Sequence, residues 1–175
     1  MSDSRSGAKS DDLLLPDAAL RLLGDRSYDK RKTGALSVEE IIKSHLVQQK
    51  HEKIHAIVKL LGDKYTRSNN QIHRKGGLIG LAATAIGLAN QIDPFLKNLL
   101  EPVTQCFSDP EPRVRYYACE SLFNIAKVAR QSILKQSFNE IFAGYDANPP
   151  FFLPSSFFSS EAIDDSSAVL SVICA

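Results

Sequence analysis

An excess of charge of either sign is the first thing this chain lacks. Lys and Arg number 21 against 20 Asp and Glu, for a net charge of +1. A general nucleic-acid binder needs a clear cationic excess, so no nucleic-acid partner is expected. Cysteine is scarce: Cys106, Cys119 and Cys174 form an odd, widely spaced set. Such a set argues against a disulfide framework or a zinc site and reads as reduced thiols in a cytosolic protein. A long hydrophobic run is missing too. Gly76 to Ala89 is a 14-residue stretch holding four glycines and Thr84, whereas a membrane span needs roughly 20 predominantly apolar residues. The start, MSDSRSGAKSDD, is polar and lacks the apolar core of a signal peptide.

What is present is helical pattern. With 175 residues, 43% of them hydrophobic, the chain can bury one core. Residues 1–15 read as a polar segment and 16–144 as helix after helix, with no convincing strand. SVEEIIKSHLVQQ opens with Ser37 as a cap and Glu40 three residues later, a capping-box pattern. HEKIHAIVKLLGDKY carries the stripe Ile54, Val58 and Leu61. IDPFLKNLLEPVTQCF places Phe95, Leu99 and Val103 on one face, with Asp93 and Pro94 as the helix start. DPEPRVRYYACESLFNIAKVAR follows a Pro-rich turn and carries Ala118, Leu122, Ile125 and Ala129, and QSILKQSFNEIFAGY closes the series at Gly144.

The helices repeat. A shift of 40 residues carries Lys75 onto Arg115, Leu78 onto Ala118, Ala82 onto Leu122, Ile86 onto Ala126 and Ala89 onto Ala129. A looser upstream copy, at a shift of 43, sets Lys32, Ala35 and Ile42 on Lys75, Leu78 and Ala85. A helix-pair period near 40 residues predicts an all-α solenoid of HEAT or armadillo type, with about three pairs. One pair cannot bury its apolar face alone, so pairs stack. Within CFSDPEPRVRYYACESLFNIA, Asp109 and Arg115 flank the turn, and their first reading is structural, as a helix cap or an ion pair. From residue 145 to 175 the chain carries three prolines, two Phe-Phe pairs and seven serines without helical period. That stretch is expected to be a poorly ordered tail.

Two motifs invite chemistry and fall short of it. HEKIH, His51 to His55, fits the H-E-x-x-H zinc pattern. A zincin needs a third ligand, yet no Glu lies between Glu52 and Glu101, and Val58 and Leu61 stand where the extended motif needs glycine and histidine. A zinc hydrolase is therefore a remote alternative, and no catalytic residue, metal ligand or cofactor is assigned. RKGGLIG places its lysine before the glycines, the reverse of a phosphate-binding P-loop, and GxGxxG is absent. Arg74 and Lys75 remain candidates for an anionic lipid headgroup at a helix start.

The glycines pose their own question. Gly76, Gly80, Ala83 and Gly87 fall on one helix line, opposite the apolar face of Leu78, Ala82, Ala85, Ile86 and Ala89. Glycine inside a helix costs up to about 1 kcal/mol against alanine, so three on one line need an offsetting close approach. Two readings stand: a smooth seat for a partner protein, or a tight internal contact with the N-terminal helices. The corresponding line one repeat later holds Tyr116, Glu120, Phe123 and Lys127 and reads as surface.

Three blocks, LLGDRSYDKRKTGALSVEEIIK, HRKGGLIGLAATAIGLA and LEPVTQCFSDPEPRVRYYACESLFNIAKVARQSIL, together resemble the amino-terminal HEAT repeats of the vacuole-morphology scaffold, the Vac-fourteen family. The resemblance runs from about Leu20 to Gly144. It implies a non-catalytic scaffold that binds a phosphatidylinositol-3-phosphate 5-kinase, within an assembly that also holds a Sac-type phosphoinositide phosphatase. That assembly makes and turns over phosphatidylinositol 3,5-bisphosphate on endosomal and vacuolar membranes, so a cytosolic chain, peripheral on membranes through its partners, is implied. The amino-terminal repeats are implicated in kinase binding. The glycine seat (Gly76, Gly80, Gly87) and the turn Arg113, Arg115, Tyr116 and Tyr117, with Glu120 beyond it, are the places where kinase contact is expected. Members of the family continue for several hundred residues. This chain therefore reads as a shortened form, for which phosphatase binding and self-association are not expected. A HEAT-type adaptor in another trafficking pathway is the alternative.

Overall fold

The computed structural model describes residues 14–135. The 145–175 tail, the last residues of the expected solenoid and nearly all of the 1–15 segment lie outside the described residues. Six α-helices follow one another: α1 (Asp17–Leu23), α2 (Tyr28–Val47), α3 (His51–Leu60), α4 (Gln71–Leu88), α5 (Leu96–Gln105) and α6 (Pro112–Lys135). α3 runs on into a π-helical turn, Leu61–Thr66, and short 3₁₀ turns flank α5. No strand occurs among the described residues.

Consecutive helices pair: α1 with α2, α3 and its π turn with α4, and α5 with α6. The second members of the pairs, α2, α4 and α6, lie side by side with α4 in the middle. This is the expected all-α, HEAT-type stacking of three pairs. Its centre explains the apolar run. With neighbours on either side and the π turn behind it, α4 has 12 of its 18 residues buried. A helix enclosed in this way has no polar face to keep. The stripes read from the sequence point inward: Ile54, Val58, Leu61, Phe95, Leu99, Val103, Ala118, Leu122, Ile125 and Ala129 are all buried. Each fully buried Leu or Ile contributes about 1.5–3 kcal/mol relative to exposure.

Several expectations from the sequence need correcting. Ser37 caps nothing: α2 begins well before it, at Tyr28, and the Ser37 hydroxyl donates to the Thr33 carbonyl at 3.2 Å in mid-helix. A serine in a helix interior satisfies itself this way as readily as at an N-terminus. The segment from Gln131 does not start a new helix, because α6 is continuous to Lys135. On α4, Ile86 is 40% exposed and Ala89 lies past the helix end with a positive φ of 46°, so neither belongs to its inner face. The second repeat shift is 41 residues, not 40. It sets Gly77 on Ala118, Leu81 on Leu122 and Ala85 on Ala126, all buried. In a run that is apolar on every side, a register error of one still sets apolar on apolar.

Two of the thiols, those of the described residues, sit in the interior. Cys106 and Cys119 are buried, and burial pushes the Cys106 thiol up to about 11. A thiol held protonated is a poor nucleophile. Iodoacetamide at mildly alkaline pH is expected to leave both unmodified in the native chain and to modify both after denaturation, read by peptide mass mapping. Fast native alkylation of Cys106 would contradict its place in the core.

Candidate partner-binding surface

A turn built the same way three times brings the N-termini of α2, α4 and α6 to one edge. In each, a side-chain oxygen accepts from the backbone N–H two residues on: Asp25 Oδ1 from Ser27 (2.8 Å), Ser68 Oγ from Asn70 (3.2 Å) and Asp109 Oδ1 from Glu111 (2.9 Å). Six residues after each turn-former an arginine reaches back. Nη1 of Arg31, Arg74 and Arg115 donates to the carbonyls of Asp25 (2.9 Å), Ser68 (2.9 Å) and Asp109 (2.8 Å). Asx-type turns and long donors serve here because a helix start reverses the chain and leaves carbonyls outside the helical ladder.

Two of the arginines also tie one repeat to another. Arg74 holds Asp109 with both arms, Nε to Oδ2 at 2.7 Å and Nη2 to Oδ1 at 2.9 Å. Arg31 Nη2 donates to the Tyr117 hydroxyl at 3.0 Å, and its guanidinium carbon lies 5.4 Å from the centre of that ring. Tyr117 in turn meets Tyr28 (6.3 Å between ring centres) and, edge-on, Tyr116 (5.8 Å). Tyr28 and Tyr116 remain 45% and 42% exposed, so an aromatic shelf faces outward. Glu120, half-buried one helical turn beyond Tyr116, has its carboxyl pushed upward by burial.

Beside the shelf opens a cleft of about 460 Å³ lined by Arg26, Arg31, Lys75, Pro112, Arg113, Tyr116 and Tyr117. Lys75 is only 8% exposed, with one long hydrogen bond, 3.4 Å, to Gln71 Oε1. Burial, and then the charges of Arg31 and Arg113, hold its ammonium below the usual lysine range.

The candidates named from the sequence thus divide. Lys75, Arg113, Tyr116 and Tyr117 come together around the cleft, with Glu120 next to it. Arg74 does not present a free cation, because its turn and Asp109 occupy its donors, so it is removed as a lipid-headgroup contact; Arg115, its Nη1 held by the Asp109 and Pro110 carbonyls, does not line the cleft. The glycine face is filled from within. A Cβ on Gly76 would lie 2.1 Å from the Leu23 carbonyl oxygen, one on Gly80 3.1 Å from Leu61, and one on Gly87 3.0 Å from the Glu39 carbonyl. The N-terminal helices and the π turn occupy the seat expected for a partner, so the internal contact is the correct reading of Gly76, Gly80 and Gly87.

Arg26, Tyr28 and Arg31 are not evident as site residues from the sequence. Their signal is nevertheless present: DRSYDKR, SNNQIHR and DPEPRVR each end six residues after the turn-former in arginine. Matching lysine with arginine draws the comparison one residue away. The zinc alternative finds no support in the geometry. His51 and His55 both pack on the Phe95 ring, at 6.2 and 4.3 Å between ring centres. Among the described residues no group of three or more His, Cys, Asp or Glu is placed to hold a metal ion.

Residues 72–147 match a family model described as the Vacuolar 14 Fab1-binding region. A VAC14 homolog of Arabidopsis thaliana is 44% identical over 128 residues, covering 73% of this chain and 17% of that protein. The vacuole morphology and inheritance protein 14 of Saccharomyces cerevisiae is 45% identical over 122 residues, 69% of this chain and 14% of its own length. A VAC14 homolog of Schizosaccharomyces pombe is 42% identical over 125 residues, 70% and 15%. The chain thus spans about one sixth of the length of these relatives. On the strength of these matches, the chain belongs to the Vac14 family.

Proposed function

We propose that this chain is a non-catalytic scaffold segment that binds the phosphatidylinositol-3-phosphate 5-kinase and so supports phosphatidylinositol 3,5-bisphosphate synthesis. One observation carries the reading. The region matched to the Fab1-binding model begins at residue 72 and includes nearly all of α4 and the whole of α5 and α6 as described, and within it lies the exposed part of the Tyr116, Tyr117 and Glu120 surface. Aromatic and arginine side chains at a partly desolvated edge are the residue types that dominate protein–protein binding energies. The kinase would bring the chain to endosomal or vacuolar membranes as a peripheral subunit. No helix among the described residues is long and apolar enough to cross one.

The test is capture of the kinase by purified wild-type chain, Tyr116→Ser and Glu120→Arg. Both substitutions lie at the surface edge, so each is expected to melt like the parent while weakening capture by about tenfold or more. Undiminished capture by both variants would remove this surface from the interaction. The wild-type chain is expected to recover kinase without the Sac-type phosphatase, and recovery of neither would reject the reading.

A further inference from the structure

We infer that the cleft between the N-termini of α2, α4 and α6 is a binding site for a phosphomonoester dianion, carried by a small soluble molecule or by a lipid headgroup. This goes beyond kinase binding and does not depend on it. The argument begins with charge. Arg26, Arg31, Lys75 and Arg113 line one cleft in a chain whose net charge is only +1. None of the four takes part in an ion pair among the described residues, where the four pairs use Lys30, Lys43, Arg67 and Arg74. Glu111 opposes this charge at Lys75, and the Asp25 carboxylate feels that of Arg31.

Burial sharpens the point. Arg31 is 4% exposed; the Asp25 and Arg26 carbonyls and the Tyr117 hydroxyl take its Nη groups, but its Nε has no hydrogen-bond partner, while Lys75 is 8% exposed with a single long one. Buried donors are almost always matched, and a buried cation without an anion is unfavourable. These groups donate and cannot accept, so the missing ligand is an acceptor with negative charge. A phosphomonoester brings about −1.5 to −2 charges and three acceptor oxygens near neutral pH. It matches four convergent cations better than a single carboxylate does. A cleft of about 460 Å³ exceeds the needs of a bare ion and leaves space for the group that bears the phosphate.

The experiment titrates the 175-residue chain with glycerol 3-phosphate, with inorganic pyrophosphate and with a glutamate-rich peptide, following heats and amide shifts. Phosphatidylcholine vesicles with and without phosphatidic acid form the lipid arm. Saturable binding of glycerol 3-phosphate assigns a soluble or headgroup ligand. Binding of phosphatidic acid vesicles alone assigns a lipid. Either supports the site, provided that Lys75→Met and Arg113→Ser each weaken it by about tenfold or more. Lys75→Met is expected to melt at or above the parent temperature, because it removes a desolvated charge, so lost binding cannot be put down to unfolding. Arg113→Ser acts at an exposed position and tests the same cleft without touching the interior. Binding that ignores both substitutions overturns the assignment, as does tighter binding of the glutamate peptide than of either phosphate. Kinase capture is reported separately by Glu120→Arg, because Glu120 does not line the cleft.

Discussion

Gly76→Ala is expected to cost about 3 kcal/mol or more, enough to loosen α1 from α4 or unfold the chain. In an isolated helix the same change would help by up to about 1 kcal/mol, so the tertiary contact reverses its sign. The added Cβ would lie 2.1 Å from the Leu23 carbonyl oxygen and 2.8 Å from its carbon. Both are backbone atoms at the C-terminal end of α1 and cannot swing aside. Gly80→Ala supplies the contrast. Its closest Cβ contacts would be the Leu61 methyl groups at 3.1 and 3.2 Å, the far end of a side chain that can shift. The regained helix propensity offsets that adjustment, and a change within about 0.5 kcal/mol is expected. Urea denaturation followed by circular dichroism separates the two. If Gly76→Ala were as stable as the parent, α1 would not lie on α4, and the glycine face would be open to a partner after all.

Arg74→Met should lower stability by about 3–5 kcal/mol, the usual consequence of taking one member from a buried pair. The side chains of Arg74 and Asp109 are 14% and 7% exposed. Removing the guanidinium strands the carboxylate against protein. It also leaves the Ser68 and Asn69 carbonyls, to which Arg74 donates at 2.9 and 3.2 Å, without that partner. Arg74→Lys is expected to recover little, since an ammonium cannot grip both carboxylate oxygens and reach two carbonyls at once. Arg115→Met makes the control, because Arg115 caps its own turn and holds no carboxylate in an ion pair among the described residues. A loss of about 1 kcal/mol is expected there. Equal effects at positions 74 and 115, measured by the same urea denaturation, would show that the ladder acts turn by turn, without coupling the second pair to the third.

That coupling clarifies how much of the molecule is legible in advance. Ile54, Val58 and Leu61, or Leu122, Ile125 and Ala129, announce a buried face because each helix has one polar side and one apolar side. α4 offers no such phase. Its glycines, alanines and leucines surround the axis, so periodicity could not say which side met α2, α6 or a partner. Nor could it distinguish Arg74 from Lys75. The two are neighbours in the chain, yet one closes an ion pair with a residue 35 positions away while the other lines an open cleft with Arg113. Arg31 and Tyr117, 86 residues apart, meet only because three turns of like construction stack in register.

By itself the sequence determined the class: helices without strands, pairs recurring at about 40 residues, a central run too short to span a membrane, and motif blocks shared with one family. The tertiary structure decided the rest: that the glycine line is an interior seam, that two candidate arginines are fasteners, and that four cations share a cleft. The division has a physical reason. Helical period and turn chemistry are properties of residues close along the chain. The surroundings of a side chain are set by how separate helices lie against one another, and in this protein that depends on contacts of a few ångströms between backbones distant in sequence.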